Sequence, residues 1–274
     1  MSANLATLFV GLIAAAIVLV AAMTSAWLVQ RRTGNAGWSD AFWSFGTGAA
    51  CLVVALLPVA GTGWPTTRQL IVALAVAVWS IRLGSHIAAR SRAATEEDAR
   101  YAALRREWGA DFQRRLYVFL LIQAGAGWLL TLPVLAAAQN PRPGLTWQDG
   151  LAIVVFAAAV LGESVADRQM RAFREAHAGE HGRICDTGLW AWSRHPNYFF
   201  EWLGWCAYPA MAIGLGYPLG WLSLVGPLLM YWLLVHVSGI PLLEQHLAAS
   251  RPDAFRRYAE RVPAFFPRRP RRTS

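Results

Sequence analysis

Arg183-Ile-Cys-Asp-Thr-Gly-Leu-Trp-Ala-Trp-Ser-Arg-His-Pro-Asn-Tyr-Phe-Phe-Glu201 runs directly into an apolar stretch, Trp202–Gly214. Pro196 suits the first turn of a helix, where its missing N–H would have no partner anyway. The junction therefore reads as the mouth of a membrane helix, with Arg194, His195, Asn197, Tyr198 and Glu201 gathered there. Asn197 and Glu201 are four residues apart and share one helix face. A carboxylate one turn inside an apolar segment is costly unless something pairs with it. Taken singly, each residue fits the charged collar that membrane helices carry. Taken together, they point to a ligand site.

The rest of the chain agrees with a membrane setting. Hydrophobic residues make up 56% of it and come in long blocks, which is not the patterning of a soluble core. The blocks predict an all-α protein with about seven spans: Leu5–Val29, Ala41–Ala60, Leu70–Ala89, Leu116–Ala138, Trp147–Val165, Tyr198–Gly214 and Tyr217–Leu243. Most reach the roughly 20 residues that cross about 30 Å of hydrocarbon. The first lacks a basic leader and is long for a signal-peptide core, so it reads as a true span. A single membrane-embedded domain covering 1–274 is expected, with a disordered tail over 268–274.

All 25 basic residues are Arg; Lys is absent. That excludes Lys Schiff-base chemistry and the Gly-Lys-Ser/Thr phosphate loop. Three Cys (Cys51, Cys185, Cys206) lack CxxC spacing, and no HExxH occurs. Neither a metal site nor a disulfide framework is expected. No Gly-x-Gly-x-x-Gly follows a strand-like segment, so any nucleotide must be held by helices and Arg-rich loops. So apolar a chain is not a nucleic-acid binder, and the positive charge is better read as topology. With the N-terminus outside, only Arg68 and Arg142 fall in outer loops and Arg82 in a span; every other Arg lies inside, as positive-inside bias requires. The same orientation collects Asp40, Glu163, Asp167, Glu201 and Glu244 at the inner end of their helices. That predicts a polar cavity open to the cytoplasm.

Two loops and the tail carry further pattern. Thr95 to Asp98 loosely fits a capping box, and Tyr101, Leu104 and Trp108 recur at helical spacing, predicting a short interfacial helix. Asp167, Arg171 and Arg174 share a face if the fifth span continues past the membrane, with Gly179 and Gly182 ending it. Such a face is a salt-bridge stripe or a cradle for a polyanion, whose oxygens match Arg forks. Ser238-Gly239-Ile240-Pro241 should kink the last span. Phe255 to Pro267 reads as a basic-aromatic segment suited to a membrane surface or to a lid.

Gly188-Leu189-Trp190, then Ser193-Arg194-His195-Pro196-Asn197-Tyr198 and Glu201, resembles the C-terminal signature of the steroid 5-alpha-reductase family, especially its bacterial branch known as domain of unknown function 1295. Asp40-x-x-Trp43, Trp79-x-x-Arg82-Leu83, Asp98-x-Arg100-Tyr101 and the Glu244…Tyr258…Pro263 tail are similar to that branch too, over about residues 35–267. The Arg-His-Pro-x-Tyr element also occurs in sterol C14 reductases and isoprenylcysteine carboxyl methyltransferases; Asn after the Pro, with Glu four residues on, favours the reductases. The resemblance implies NADPH as cofactor and reduction of an activated C=C bond in a lipid-like substrate. Asn197 and Glu201 would contact the nicotinamide carboxamide, and Asp167, Arg174 and Arg183 the sugar and phosphates. Tyr198, His246 and Tyr258 would complete the pocket, with Arg171, Arg194, His195 and Glu244 as further cofactor contacts. Steroid reductases polarise the substrate carbonyl with a Glu and a Tyr. Here Asp40 and Arg82 stand in the matching regions as the catalytic candidates, Asp40 as a protonated donor, and the third span has no Tyr, which points away from steroids.

The expected protein is thus a multi-pass, monomeric enzyme of a bacterial inner membrane, its C-terminus cytoplasmic, with membrane lipids and a lipid-like substrate as partners. Two other readings stay open: a methyltransferase using S-adenosylmethionine on an isoprenoid or phospholipid, and a non-enzymatic lipid-binding membrane protein.

Overall fold

The computed structural model describes residues 5–59, 63–94, 98–180 and 182–269, and every regular element among them is helical. The α-helices are α1 (Leu5–Thr33), α2 (Ser39–Ala55), α3 (Thr67–Ala93), α4 (Ala99–Trp108), α5 (Phe112–Ala138), α6 (Trp147–Ala176), α7 (Pro196–Ala212), α8 (Val225–Trp232), α9 (Ile240–Ser250) and α10 (Pro252–Arg261). Five helical stretches are long and apolar enough to cross a membrane: Leu5–Thr33, Thr67–Ala93, Arg100–Ala138, Trp147–Ala176 and Pro218–Ser250. The expected spans Ala41–Ala60 and Tyr198–Gly214 correspond to α2 and α7, each 17 residues. At 1.5 Å per residue these cover about 25 Å, short of the hydrocarbon thickness. Pro58 stops α2 by disfavouring helix in the residue before it, and α7 gives way to Gly214 and to Gly216, whose φ is +81°.

The chain divides into two compact units: one holds the residues up to Asp149 with Tyr208–Gly226, the other Gly150–Ala207 with the residues from Pro227 onward. In the first unit α2 packs against α1, α3 and α5, and α1 against α5. The core is aliphatic: Leu19, Met23, Val54, Val72, Val76, Leu116, Leu120, Leu130 and Val134 are buried. The opposite face of α1 leaves Phe9, Ile13 and Ile17 exposed, as a membrane-facing surface does. A capping box opens α3, with Thr66 accepting from the Gln69 amide and Gln69 accepting back from the Thr66 amide. The capping box expected at Thr95 falls on residues 95–97, outside the described residues, and α4 begins instead with Asp98 as its N-cap.

Arg68, expected in an outer loop, is buried in a cage. Its guanidinium donates to both Asp149 oxygens (2.8 and 3.0 Å) and to the carbonyls of Asn140, Arg142 and Gly144. Thr146 donates to Asp149 through its amide and its hydroxyl. The cage ties the start of α3 to the loop before α6.

In the second unit α6 does continue unbroken to Ala176, putting Asp167, Arg171 and Arg174 on one face, and Gly179 and Gly182 (φ +89° and +97°) turn the chain after it. Gly162 of α6 lies against the Phe200 ring; a Cβ there would meet ring carbons at 2.3 Å. The last apolar stretch is broken as expected, by a π-helical turn over Leu233–Val237 and then Ser238-Gly239. The helix restarts at α9 with Pro241 in its first turn. The tail departs from expectation at its start: the Arg268 amide donates to the Trp192 carbonyl (2.9 Å). Residues 270–274 lie outside the described residues.

Candidate functional site

The junction ahead of α7 is clamped to the chain's C-terminal end. The Arg194 guanidinium grips Glu244 of α9 as a fork, Nε to Oε1 at 2.7 Å and Nη2 to Oε2 at 3.0 Å, the bidentate geometry that makes Arg–carboxylate pairs strong. Its third nitrogen, Nη1, donates to the Val262 and Ala259 carbonyls, and its amide to Pro263. Nε2 of His195 lies 3.0 Å from Glu244 Oε1, and the His195 ring stacks on Tyr198 with centroids 5.6 Å apart. The Ser193 hydroxyl donates to the Phe265 carbonyl (2.8 Å). Rings of Phe199, Trp202, Tyr231, Phe265 and Phe266 meet edge to face below it. The basic-aromatic segment is thus a strap fastened to the signature, at once apolar and hydrogen-bonded.

The strap accounts for several of the candidate residues. Arg194 and Glu244 bond each other, and Tyr258, which is buried, donates its hydroxyl to the Trp190 carbonyl (2.6 Å). Burial pushes the Tyr258 phenol above its ordinary value, so it stays a donor. Burial likewise raises the Cys185 thiol, the opposite of what a nucleophile needs. Glu201 does not pair with Arg194; its Oε1 accepts the Trp205 indole N–H at 3.0 Å. Asn197, one turn earlier on α7, has a buried Oδ1 with no hydrogen-bond partner among the described residues. Arg171, Arg174 and His246 are exposed, and Asp167 is half-buried. Arg183 is exposed and paired with Glu180. His195, Asn197, Tyr198 and Glu201 therefore gather with the clamp, while Arg171 and Arg174 present a separate, open basic face.

Asp40 and Arg82 belong to the first unit. Asp40, near the start of α2, accepts from Arg100 on one oxygen and from the Tyr101 hydroxyl (3.0 Å) on the other. Both Asp40 oxygens are thus already engaged within the first unit. Arg100 also forks onto Asp98, at 3.0 and 3.1 Å. Arg82 lies on α3, half-buried. Tyr101 is the residue that the reading of roles missed: its motif, Asp98-x-Arg100-Tyr101, was visible, but pairing it with Asp40 takes a contact across 61 positions.

Burial alone would raise the Asp98 carboxyl, but hydrogen bonds and charge from Arg100, with Arg90 beyond, hold it below the ordinary carboxylate value. Its folded value is the lower one. Its contribution to stability is therefore present above the unfolded value of about 3.9 and is lost as pH falls through the folded value. Melting curves across the acid range should show wild type losing stability faster than Asp98→Asn below about pH 4; parallel curves would remove that role.

The family described as Protein of unknown function (DUF1295) matches residues 26–262. Uncharacterized protein C594.04c of Schizosaccharomyces pombe (strain 972 / ATCC 24843) is 27% identical over 276 residues, covering 86% of this chain and 76% of that protein. No solved structure matches.

Proposed function

The chain belongs to the DUF1295 family, and on that premise we propose that it is an integral-membrane reductase. In this reading it uses NADPH to saturate an activated C=C bond in a lipid-like substrate, as the steroid 5-alpha-reductase-like signature suggests. In the same reading α2 and α7 cross where the bilayer thins to meet their shorter length, which makes seven crossings with the N-terminus outside and the C-terminus cytoplasmic in a bacterial inner membrane.

The observation that carries the reading is Asn197. Its buried acceptor has no partner among the described residues, and a buried amide oxygen without a donor costs about 1–3 kcal/mol. A primary carboxamide supplies the missing donor, and Asn can return one, since an amide both gives and accepts. Glu201, four residues on, shares that face. Arg171 and Arg174 are exposed, have no ion-pair partner among the described residues, and suit phosphate oxygens. Asp167 and Arg183 remain candidates for the sugar and phosphates, and His195, Tyr198 and His246 for the pocket wall. Arg194, Glu244 and Tyr258 are reassigned: they hold the start of α7, and with it Asn197, in place.

When bound, NADPH would supply the electron pair. The chain's own residues bind and orient. Asn197 fixes a carboxamide, while Arg171 and Arg174 neutralise phosphates. Of the first unit's candidates, Arg82 is the group we assign to the substrate oxygen on which charge develops, because Asp40 and Tyr101 are bonded to each other. A guanidinium aimed at such an oxygen in a dry site is worth far more than in water.

The experiment is a thermal-shift comparison of purified protein with NADPH and with S-adenosylmethionine. Stabilisation by NADPH is expected; stabilisation by S-adenosylmethionine alone makes the protein a methyltransferase, and by neither, a non-enzymatic lipid binder. Asn197→Ala is then expected to weaken NADPH binding roughly five- to 150-fold without lowering the melting temperature. Unchanged affinity in that variant removes the main support for the reading.

A further inference from the structure

Several arginines of the first unit are held by partners. Arg68 and Arg100 are tied to carboxylates, and Arg105 donates to the Gly34 carbonyl. Arg31 and Arg32, in the last turn of α1, and Arg114 and Arg115, in the first turn of α5, are different. All four are exposed, and none has an ion pair or hydrogen bond among the described residues. The two helix ends lie together. The Trp27 indole N–H donates to the Gln113 carbonyl (3.2 Å), and the Trp27 and Tyr117 rings sit 5.1 Å apart. The Arg31 guanidinium lies 4.8 Å above the Trp27 ring. Arg31 and Arg32 close α1 and Arg114 and Arg115 open α5, so four like charges share the end at which the two helices meet.

We propose that Arg31, Arg32, Arg114 and Arg115, over Trp27 and Tyr117, bind the headgroup of an anionic phospholipid. Arg forks match phosphate oxygens. A lipid fits better than a soluble phosphate because α1 lies in, and α5 forms most of, stretches long and apolar enough to cross a membrane. The Trp–Tyr pair one turn below the Arg residues marks headgroup depth, and the exposed apolar face of α1 offers acyl chains a surface.

Native mass spectrometry of the detergent-solubilised full chain, titrated with phosphatidylglycerol or phosphatidylcholine, tests this. Wild type is expected to prefer phosphatidylglycerol. Arg31→Gln/Arg32→Gln and Arg114→Gln/Arg115→Gln are each expected to lose roughly 25-fold of the preference, about fivefold per Arg. Arg256→Gln/Arg257→Gln, which removes the same charge from α10, should keep it. Equal binding of the two lipids by wild type overturns the proposal, as does full preference in both test variants. An equal loss in the α10 control makes the effect one of bulk charge. Displacement of phosphatidylglycerol by inorganic phosphate at matched concentration makes the site a free-phosphate site. Both also overturn the proposal.

Discussion

Asp149→Ala is expected to be the most damaging substitution, lowering stability by about 3–5 kcal/mol, the usual cost of stranding one member of a buried ion pair. Arg68 and Asp149 have side-chain exposures of only 5% and 2%. Removing the carboxylate leaves a guanidinium in the interior with three carbonyls and no countercharge. Those carbonyls belong to the loop between α5 and α6, so that connection should loosen first. Asp149→Asn, which keeps the shape and one acceptor, is expected to cost less. Melting temperatures in one detergent give the ranking: wild type, then Asn, then Ala. An Ala variant as stable as wild type would show that the cage contributes nothing.

The second large effect is expected at Glu244. Its carboxylate serves Arg194 and His195 at once, and both sit directly before α7. Glu244→Ala leaves a guanidinium and a buried imidazole without their acceptor. The pair keeps some solvent contact, 13% and 19% exposed, so the expected loss is about 2–3 kcal/mol, below that for a fully buried pair. The strap and the first turn of α7 are held through these bonds, so NADPH affinity should fall with stability. This separates Glu244 from Asn197, whose loss is expected to change affinity alone. A Glu244→Ala protein that melts like wild type would show that the strap is fastened by its aromatic rings and not by the clamp.

How much of this was legible beforehand differs element by element. Long apolar blocks announced α1, α3, α5 and α6, because burying hydrocarbon is a property of composition over about 20 residues. The continuation of α6 past the membrane and the break at Ser238-Gly239 were equally readable, since helical periodicity and Gly/Pro interruption are local. The shortness of the span at α7 was readable too, 17 residues expected and 17 found, but the length of α2 was not. Where a helix stops depends on the turn it feeds, and apolar residues continue past the end of α2.

The site divides along the same line. Sequence by itself singled out polar residues that the fold holds in bonds: Arg194, His195, Glu201, Glu244, Asp40, Asp98, Arg100 and Tyr101 are all hydrogen-bonded. Only the tertiary structure decided who bonds to whom. Spacing within a helix put Asn197 and Glu201 on one face, but it could not show that Arg194 is gripped by Glu244, 50 positions away. Nor could it show that Arg100 and Tyr101 are folded against Asp40. Periodicity constrains neighbours one turn apart. A fork between distant helices depends on crossing angles and loop geometry, set by the packing of the whole unit.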